Sequence, residues 1–399
     1  MVQEKLVSSD KTNKDEGVHQ DKPQLHFDEN ILWEEFHFQE LFEIKNGLNK
    51  GKDFFGYGIP ILNYMDVNKN VSNTKESING LVDVDRNEIK RYNVKPNDLF
   101  FTRTSETSDE IGLTSAYIGE LIDCVFSGFI LRARPIRDDV NSLFFAYYLR
   151  SEKSRANIIK YSSITTRALI SGSNLYKMKV KMPNINEQNK IANFLSFIDK
   201  KIELLEKKLV LYQELDLSLK NQIFNSFKNS SFIKLNDLCQ IKKGKQLNKS
   251  DMENNGEYYV LNGGKEPSGH TNSWNVEENT ITISEGGNSC GFVSFNTEKF
   301  YCGGHCYYLT LKQENFDLKY LYHYLKHIEP NIMRLRVGSG LPNIQKGDIE
   351  NINILKLDFN QQKEVGNFLD LINEKIILNL KEKEELENFK KGLLQKMFI

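Results

Sequence analysis

From Asn186 to about Phe224, apolar residues return in alternating steps of four and three: Ile191, Leu195, Ile198, Ile202, Leu205, Leu209 and Tyr212. A repeat averaging 3.5 residues marks a helix that lays one stripe against another helix. Lys200, Lys201, Glu203, Glu206, Lys207 and Lys208 fall on the remaining faces, which water solvates. After Tyr212 a one-step slip to Leu215 continues the apolar run through Leu219 and Ile223. At about 1.5 Å per residue this stretch makes a rod of roughly 60 Å, far longer than the helices of ordinary globular domains.

The C-terminus repeats the pattern. Asn193-Phe194-Leu195 recurs as Asn367-Phe368-Leu369, Gln188 as Gln362, Ile191 as Val365 and Phe224 as Phe398. The stripe of this second helix reads Val365, Leu369, Ile372 and Ile376, then the polar Asn379 and Lys383, then Leu386, Phe389, Leu393 and Met397. Polar residues inside such a stripe weaken it alone but set register and partner choice. Two unrelated amphipathic helices, each packed on its own domain, are the plainer explanation; a match that runs through both ends of the copies speaks against it.

The globular parts repeat as well. Residues 1–32 are polar, with little apolar periodicity, and read as a disordered or partner-ordered tail. From Trp33 short β-like runs broken by Gly and Asn begin: Leu41–Gly47, Ile59–Tyr64, Asp98–Arg103 and Cys124–Leu131. A helix from Ser142 to about Ala156 and a Ser/Thr/Gly loop from Tyr161 to Asn174 follow. The same programme restarts at Asp237–Gly244, Tyr259–Gly264, Thr280–Gly287, Phe300–Leu311 and the helix Leu318–His327. This is an α+β pattern rather than a βαβ series: a domain over 33–182, a spacer helix over 183–229, a second domain over 230–356 and a second spacer over 357–399. A repeat of about 175–200 residues is too long for a solenoid. The arrangement predicts a pseudo-two-fold object with two spacer helices paired as an antiparallel coiled coil, gripping something in two places.

Composition narrows the setting. The five cysteines, Cys124, Cys239, Cys290, Cys302 and Cys306, follow no disulfide framework. There is no signal-peptide pattern and no apolar run near the ~18 residues of a membrane span, so a cytoplasmic location is expected.

At the two helix entries a family becomes recognisable. Pro183-Asn184-Ile185-Asn186-Glu187-Gln188-Asn189-Lys190-Ile191-Ala192-Asn193-Phe194-Leu195 and its copy Leu357-Asp358-Phe359-Asn360-Gln361-Gln362-Lys363-Glu364-Val365 place a Pro-x-x-x-Glu-Gln entry before a long helix, twice. The second copy departs from the pattern, with Leu357 for the Pro and Gln361 for the Glu. From about residue 33 to its end the chain resembles the specificity subunit of type I restriction–modification systems. The resemblance implies two target-recognition domains, each reading half of a bipartite sequence in double-stranded DNA, and spacer helices that dock two adenine-methyltransferase subunits. It further implies S-adenosylmethionine on those partners, and ATP and Mg on motor-nuclease subunits, with no catalysis by this chain itself.

The residues agree with a non-catalytic reading. Gly263-Gly264-Lys265-Glu266 lacks the spacing and the Ser/Thr of a phosphate loop. No Ser or Cys occupies a nucleophile elbow. Cys302-Gly303-Gly304-His305-Cys306 with Cys290 has zinc-like residues, but Phe126 to Ile130 stand at the matching places in the first half. A position that takes Phe or Ile in one copy is a core slot, so no metal is expected.

Charge is more informative. Arg150, Lys153, Arg155, Lys160, Arg167, Lys177, Lys179 and Lys181 crowd one stretch against Glu152 alone. In the second half Lys242, Lys243, Lys245 and Lys249 cluster, while Arg334, Arg336 and Lys346 flank a Gly/Ser loop. Such runs bind phosphates when they are not simply solvated faces. For base readout, Thr102, Arg103, Thr104 and Ser105 follow a strand, with Gly287, Asn288 and Ser289 as their counterpart; Arg103 alternatively pairs with Glu106 or Asp109. Thr165, Thr166, Arg167 and Lys265 are nominations of the same kind. Half-sites about one helical turn (~34 Å) or slightly more apart suit a rod of this length, and unlike globular halves predict an asymmetric target. A coiled-coil adaptor that uses its globular modules on other proteins is the competing reading.

Overall fold

The computed structural model describes residues 7–8, 23–28, 32–164, 166–338, 340 and 342–398. The chain divides into two compact units: Met1–Leu204 with Lys383–Ile399, and Leu205–Glu382.

The first unit is built on a five-stranded sheet of β1 (Phe42–Asn46), β2 (Ser72–Asn73), β3 (Leu99–Thr102), β4 (Thr114–Tyr117) and β5 (Ile130–Pro135), ordered β1-β5-β3-β4-β2. The pairs are antiparallel except β4 with β2. β3 and β4 are buried on both faces, which suits the continuous apolar run Leu99-Phe100-Phe101. A second sheet carries Val125–Phe126 parallel to Phe55–Leu62. The expected helix from Ser142 is two helices, Ser142–Tyr148 and Glu152–Lys160. They break where the Arg150 side chain turns inward onto the carbonyls of Thr114, Val67, Asn68 and Asn70.

The second unit repeats this plan with β6 (Cys239–Lys243), β7 (Thr280–Ser284), β8 (Val293–Asn296) and β9 (Cys306–Leu311), ordered β6-β9-β7-β8. Tyr258–Leu261 runs parallel to Tyr301–Cys302, as Phe55–Leu62 does to Val125–Phe126. The match extends to single residues. Leu131 pairs Asn46 and Phe101 in one unit, and Tyr307 pairs Lys243 and Ile283 in the other. A glycine follows both first strands because a Cβ there would stand 2.1 Å from the Ser127 carbonyl oxygen at Gly47 and 2.3 Å from that of Gly303 at Gly244. Cys302 and Cys306 are buried beside Leu261, Val276 and Phe300.

Two long helices leave these units, Ile185–Ser226 of 42 residues and Phe359–Met397 of 39. In the first unit Ile191, Leu195 and Ile198 at the start of one share a core with Leu393, Met397 and Phe398 at the end of the other. In the second unit Leu219, Ile223 and Phe224, near the end of the first helix, share a core with Val365 and Leu369 at the start of the second. Within each unit the pairing is therefore antiparallel, and Leu205 and Leu209 are buried as expected, each 6% exposed. Ile202, Ile372, Ile376 and Leu386 are half-buried.

Two stripe positions need correction. Phe389 is 52% exposed, and the stripe runs Leu386, Lys390, Leu393 instead; Lys390 pairs with Asp199 and lies 5.6 Å over the Tyr147 ring. In the first helix Leu215 is 45% exposed, and Asp216 takes the inward position with a 2.6 Å bond from Lys220. The 3.5-residue period holds without a slip at the same place in both copies, so geometry places a charge inward and leaves the neighbouring apolar residue outside.

The repeated glutamine of the helix entry has a structural reason. Gln188 is fully buried; Nε2 donates to Pro183 O (2.8 Å) and Asp139 O (3.0 Å), and Oε1 accepts from Asn141 N (2.9 Å), at the N-cap of the helix Ser142–Tyr148. Gln362 repeats this with Leu357 O (2.9 Å) and Asp317 N (2.8 Å), at the N-cap of Leu318–His327. Glu187 accepts from Phe27 N (2.7 Å), and Phe27 meets Phe194 edge-on at 5.8 Å. Residues 23–28 of the expected disordered tail are thus docked, because Leu25 and Phe27 find an apolar helix face there; the rest of the tail, apart from Val7–Ser8 paired with Leu25–His26, lies mostly outside the described residues.

Candidate nucleic-acid interface

In each unit the loops at one end of the main sheet gather around the residue that follows the central strand. In the first unit this is Arg103, whose backbone is clamped on both sides: its N–H donates to Phe129 O (3.0 Å) and its carbonyl accepts from Ile170 N (3.0 Å). Among the described residues its side chain makes one long bond, from Nη1 to Gly128 O (3.3 Å), and pairs with neither Glu106 nor Asp109. Glu106 faces Arg167 instead, at 3.8 Å. Arg103 lines a cleft of about 350 Å³ with Asn46, Ser171, Ser173 and Tyr176. Of these only Arg103 was evident from the sequence; the partners come from the end of β1 and from the short helix Gly172–Tyr176 with its N-cap Ser171, and the place of Asn46 just before Gly47 was the one available hint.

Thr104 pairs with Leu169 and Ser105 with Ala168, so the strand end and the hairpin that carries exposed Thr166 and Arg167 form one surface. Thr165 lies outside the described residues. Two nominations fail. Thr102 is fully buried, donating to Glu110 O (2.6 Å) and accepting from Leu113 N (2.9 Å). Ser105 is 6% exposed and accepts from Thr107 N (3.1 Å). Both hydroxyls hold the following turn, a local use that competes with any ligand.

The basic run is also partly structural. Arg150 is satisfied by four carbonyls, and burial lowers its pKa to about 10. Arg155 donates to Ile111 O (2.5 Å) and is lowered by the same cause, while Lys179 pairs with Glu35 (2.7 Å). Lys160 and Arg167 remain exposed. An arginine or lysine drawn into bonds of this kind is scaffold, and no periodicity distinguishes it from a solvated one.

In the second unit the matching residue is Glu285, clamped in the same way by His305 O (2.9 Å) and Ile344 N (2.9 Å). It is 4% exposed; Oε1 accepts from Lys243 Nζ (2.6 Å) and Tyr307 Oη (2.9 Å), and Oε2 lies 3.8 Å from His305 Nδ1. Lys243 is therefore engaged rather than free, while Lys245 is exposed next to it. The loop of Gly287, Asn288 and Ser289 joins this cluster: Gly287 N donates to Pro342 O (3.0 Å) and Gly286 bridges Asn343. Lys265 lies 5.5 Å over the Phe292 ring, and Gly291 packs on Met333, which brings exposed Arg334 and Arg336 beside the same loop. The segments that carry the second-unit nominations thus adjoin Glu285 or the loop that follows it. Glu285 was missed because a lone acid carries no spacing signal, and His305 was weighed only within a zinc-like pattern.

No group of three or more His, Cys, Asp or Glu side chains among the described residues is placed to hold a metal ion, and no described helix is long and apolar enough to cross a membrane.

Comparison with known proteins agrees with this duplicated plan. The model of the type I restriction modification DNA specificity domain matches twice, over residues 30–211 and 228–388. A protein of Methanocaldococcus jannaschii named as a type I restriction enzyme specificity subunit is 24% identical over 91% of this chain and 92% of its own length. A type I specificity subunit of Mycoplasma pneumoniae is 34% identical over 39% of this chain and 44% of its own. The crystal structure of a type I restriction-modification S subunit from M. genitalium shares the fold, with a TM-score of 0.69 at 20% identity over 95% of this chain and 99% of that one. Two specificity domains covering most of the sequence, each ending in a long helix, place the chain in the type I restriction–modification DNA specificity family, as a specificity subunit with two target-recognition domains.

Proposed function

We propose that each unit reads one half of a bipartite, asymmetric DNA site, that the chain performs no chemistry of its own, and that it serves as the platform for two copies of an adenine methyltransferase subunit. The partners would bring S-adenosylmethionine and, in a full restriction complex, a motor-nuclease subunit with ATP and Mg. The exposed candidates left by the structure — Lys160, Thr166, Arg167, Lys245, Lys265, Asn288, Arg334 and Arg336 — are the phosphate and base contacts of this reading, with Arg103, Thr104, Lys243, Gly287 and Ser289 at its centre. A cytoplasmic location belongs to it, and the five unpaired cysteines suit a reducing compartment.

The observation that carries the docking of two partners is a repeated apolar patch. Phe197 and Leu204 on the first long helix are 68% and 57% exposed. Leu371 and Leu378, at the same places in the second copy, are 60% and 59% exposed. Large apolar side chains that stay in water at matching positions mark a contact surface made twice. The test is to co-express the chain with its methyltransferase partner and map methylated adenines in DNA. A two-part asymmetric site supports the reading, and a single palindrome overturns it. Binding by the chain should weaken by several decades per decade of salt; a flat response would favour a protein adaptor.

A further inference from the structure

Arg103 and Glu285 occupy the same node, held by the same pair of backbone hydrogen bonds, with Asn46 and Lys243 at the matching neighbouring place. We propose that this node selects a base in each half-site and that the two units select different edges: Arg103 a guanine, and Lys243 with His305, backed by Glu285, an adenine. The inference rests on the DNA-reading function argued above.

The chemistry follows from donors and acceptors. In the major groove guanine presents two acceptors, N7 and O6, whereas adenine presents the N7 acceptor beside the N6 donor. Arg103 is a donor-only fork, committed among the described residues to a single 3.3 Å bond, and it stands over an open cleft. Its complement is a pair of acceptors.

The second node is mixed. Glu285 Oε1 is satisfied by Lys243 and Tyr307, but its buried Oε2 has no hydrogen-bond partner among the described residues, and His305 Nδ1 stands 3.8 Å from it. A small rotation of His305, whose side chain is 59% exposed, lets Nδ1–H donate to that oxygen. In the neutral imidazole that bond keeps the proton on Nδ1 and leaves Nε2 as an outward acceptor. Lys243, half exposed, spends one of its three donors on Glu285. One donor beside one acceptor is the complement of adenine. Glu285 is here a positioning residue, acting through His305 and Lys243.

The experiment selects targets for the full chain from randomised duplex DNA, first wild type and then variants. Arg103→Gln should lose discrimination at one guanine by about ten- to a hundredfold and leave the other half-site unchanged. Arg103→Lys, which keeps the charge and loses the fork, should relax the same position with little loss of overall affinity. His305→Phe and Lys243→Met should each relax one adenine in the other half-site. Glu285→Gln should relax that same base pair, whereas a merely structural role would lower affinity for all sequences together. Variants that melt with the wild type and keep its whole target, or lose affinity uniformly, overturn the assignment. A wild-type chain that selects no sequence overturns the DNA-reading function itself.

Discussion

Replacing Gln188 by leucine removes three hydrogen bonds from a fully buried site without a large change in volume: the donations to Pro183 O and Asp139 O, and the acceptance from Asn141 N. Each bond contributes a net ~1 kcal/mol, and stranding buried partners costs more, so a loss of about 3–5 kcal/mol is expected in the first unit. The matched change Gln362→Leu removes two comparable bonds and should cost less. Trp33, packed 5.7 Å from Phe144, reports on the helix that Gln188 caps. The other tryptophan, Trp274, is 40% exposed and can be changed to phenylalanine to leave Trp33 alone. Urea unfolding followed by fluorescence then measures the loss, and thermal melting should show a fall of roughly 10 °C for a unit of this size. Gln188→Glu sharpens the test. It keeps an acceptor for Asn141 but sets a carboxylate against two carbonyl oxygens, so its folded pKa is raised above that of an unfolded glutamate. Stability should be highest at acid pH and lost as pH rises through that folded pKa. A Gln188→Leu loss below about 1 kcal/mol, or a Glu variant insensitive to pH, would refute the capping role.

Other consequences concern the long helices. Leu205→Asp buries a charge at a position 6% exposed and should cost several kcal/mol; adenine methylation mapped in the complex should show a relaxed gap between half-sites, and an unchanged gap with intact assembly would contradict the paired-helix spacer. Phe389→Asp should change stability by less than ~0.5 kcal/mol and Leu393→Asp by several, because one is exposed and the other buried; the reverse order in urea unfolding would restore the apolar reading of the stripe. His323 is fully enclosed near Lys220, Asp216, Lys319 and Asp370, and burial together with Lys220 pushes its pKa down to about 4. Its unfolded value is ~6.5, so the unfolded chain binds more protons between these values and stability falls as pH drops through that window; His323→Gln should flatten this slope in pH-dependent urea midpoints, and an unchanged slope would place the titration elsewhere.

The duplication, the strand order of events along the chain and both helix entries were legible from residues alone. Gly47 and Gly244 mark equivalent turns, Gln188 and Gln362 equivalent caps, and the helix Leu318–His327 begins and ends where its pattern does. The candidate site was less legible. Arg103 stood out because it follows an apolar strand, yet Thr102 and Ser105 beside it are buried, and Arg150 in the basic run holds carbonyls. Residue type reports what a side chain can bond to; the turn just after the strand took up Thr102 and Ser105, and carbonyls remote in sequence took up Arg150.

Periodicity is a local property of the backbone, so the sequence by itself determined that two long helices each carry one inward stripe. Which side chains stand on that stripe was decided only in tertiary structure. The 3.5-residue repeat puts Asp216 and Lys390 inward and leaves Leu215 and Phe389 in water, because a stiff helix cannot slip one residue without moving every contact beyond it. In the same way β3 and β7 were readable as strands, but the opposite charges at their ends, Arg103 and Glu285, acquire meaning only from the neighbours that each unit brings to them.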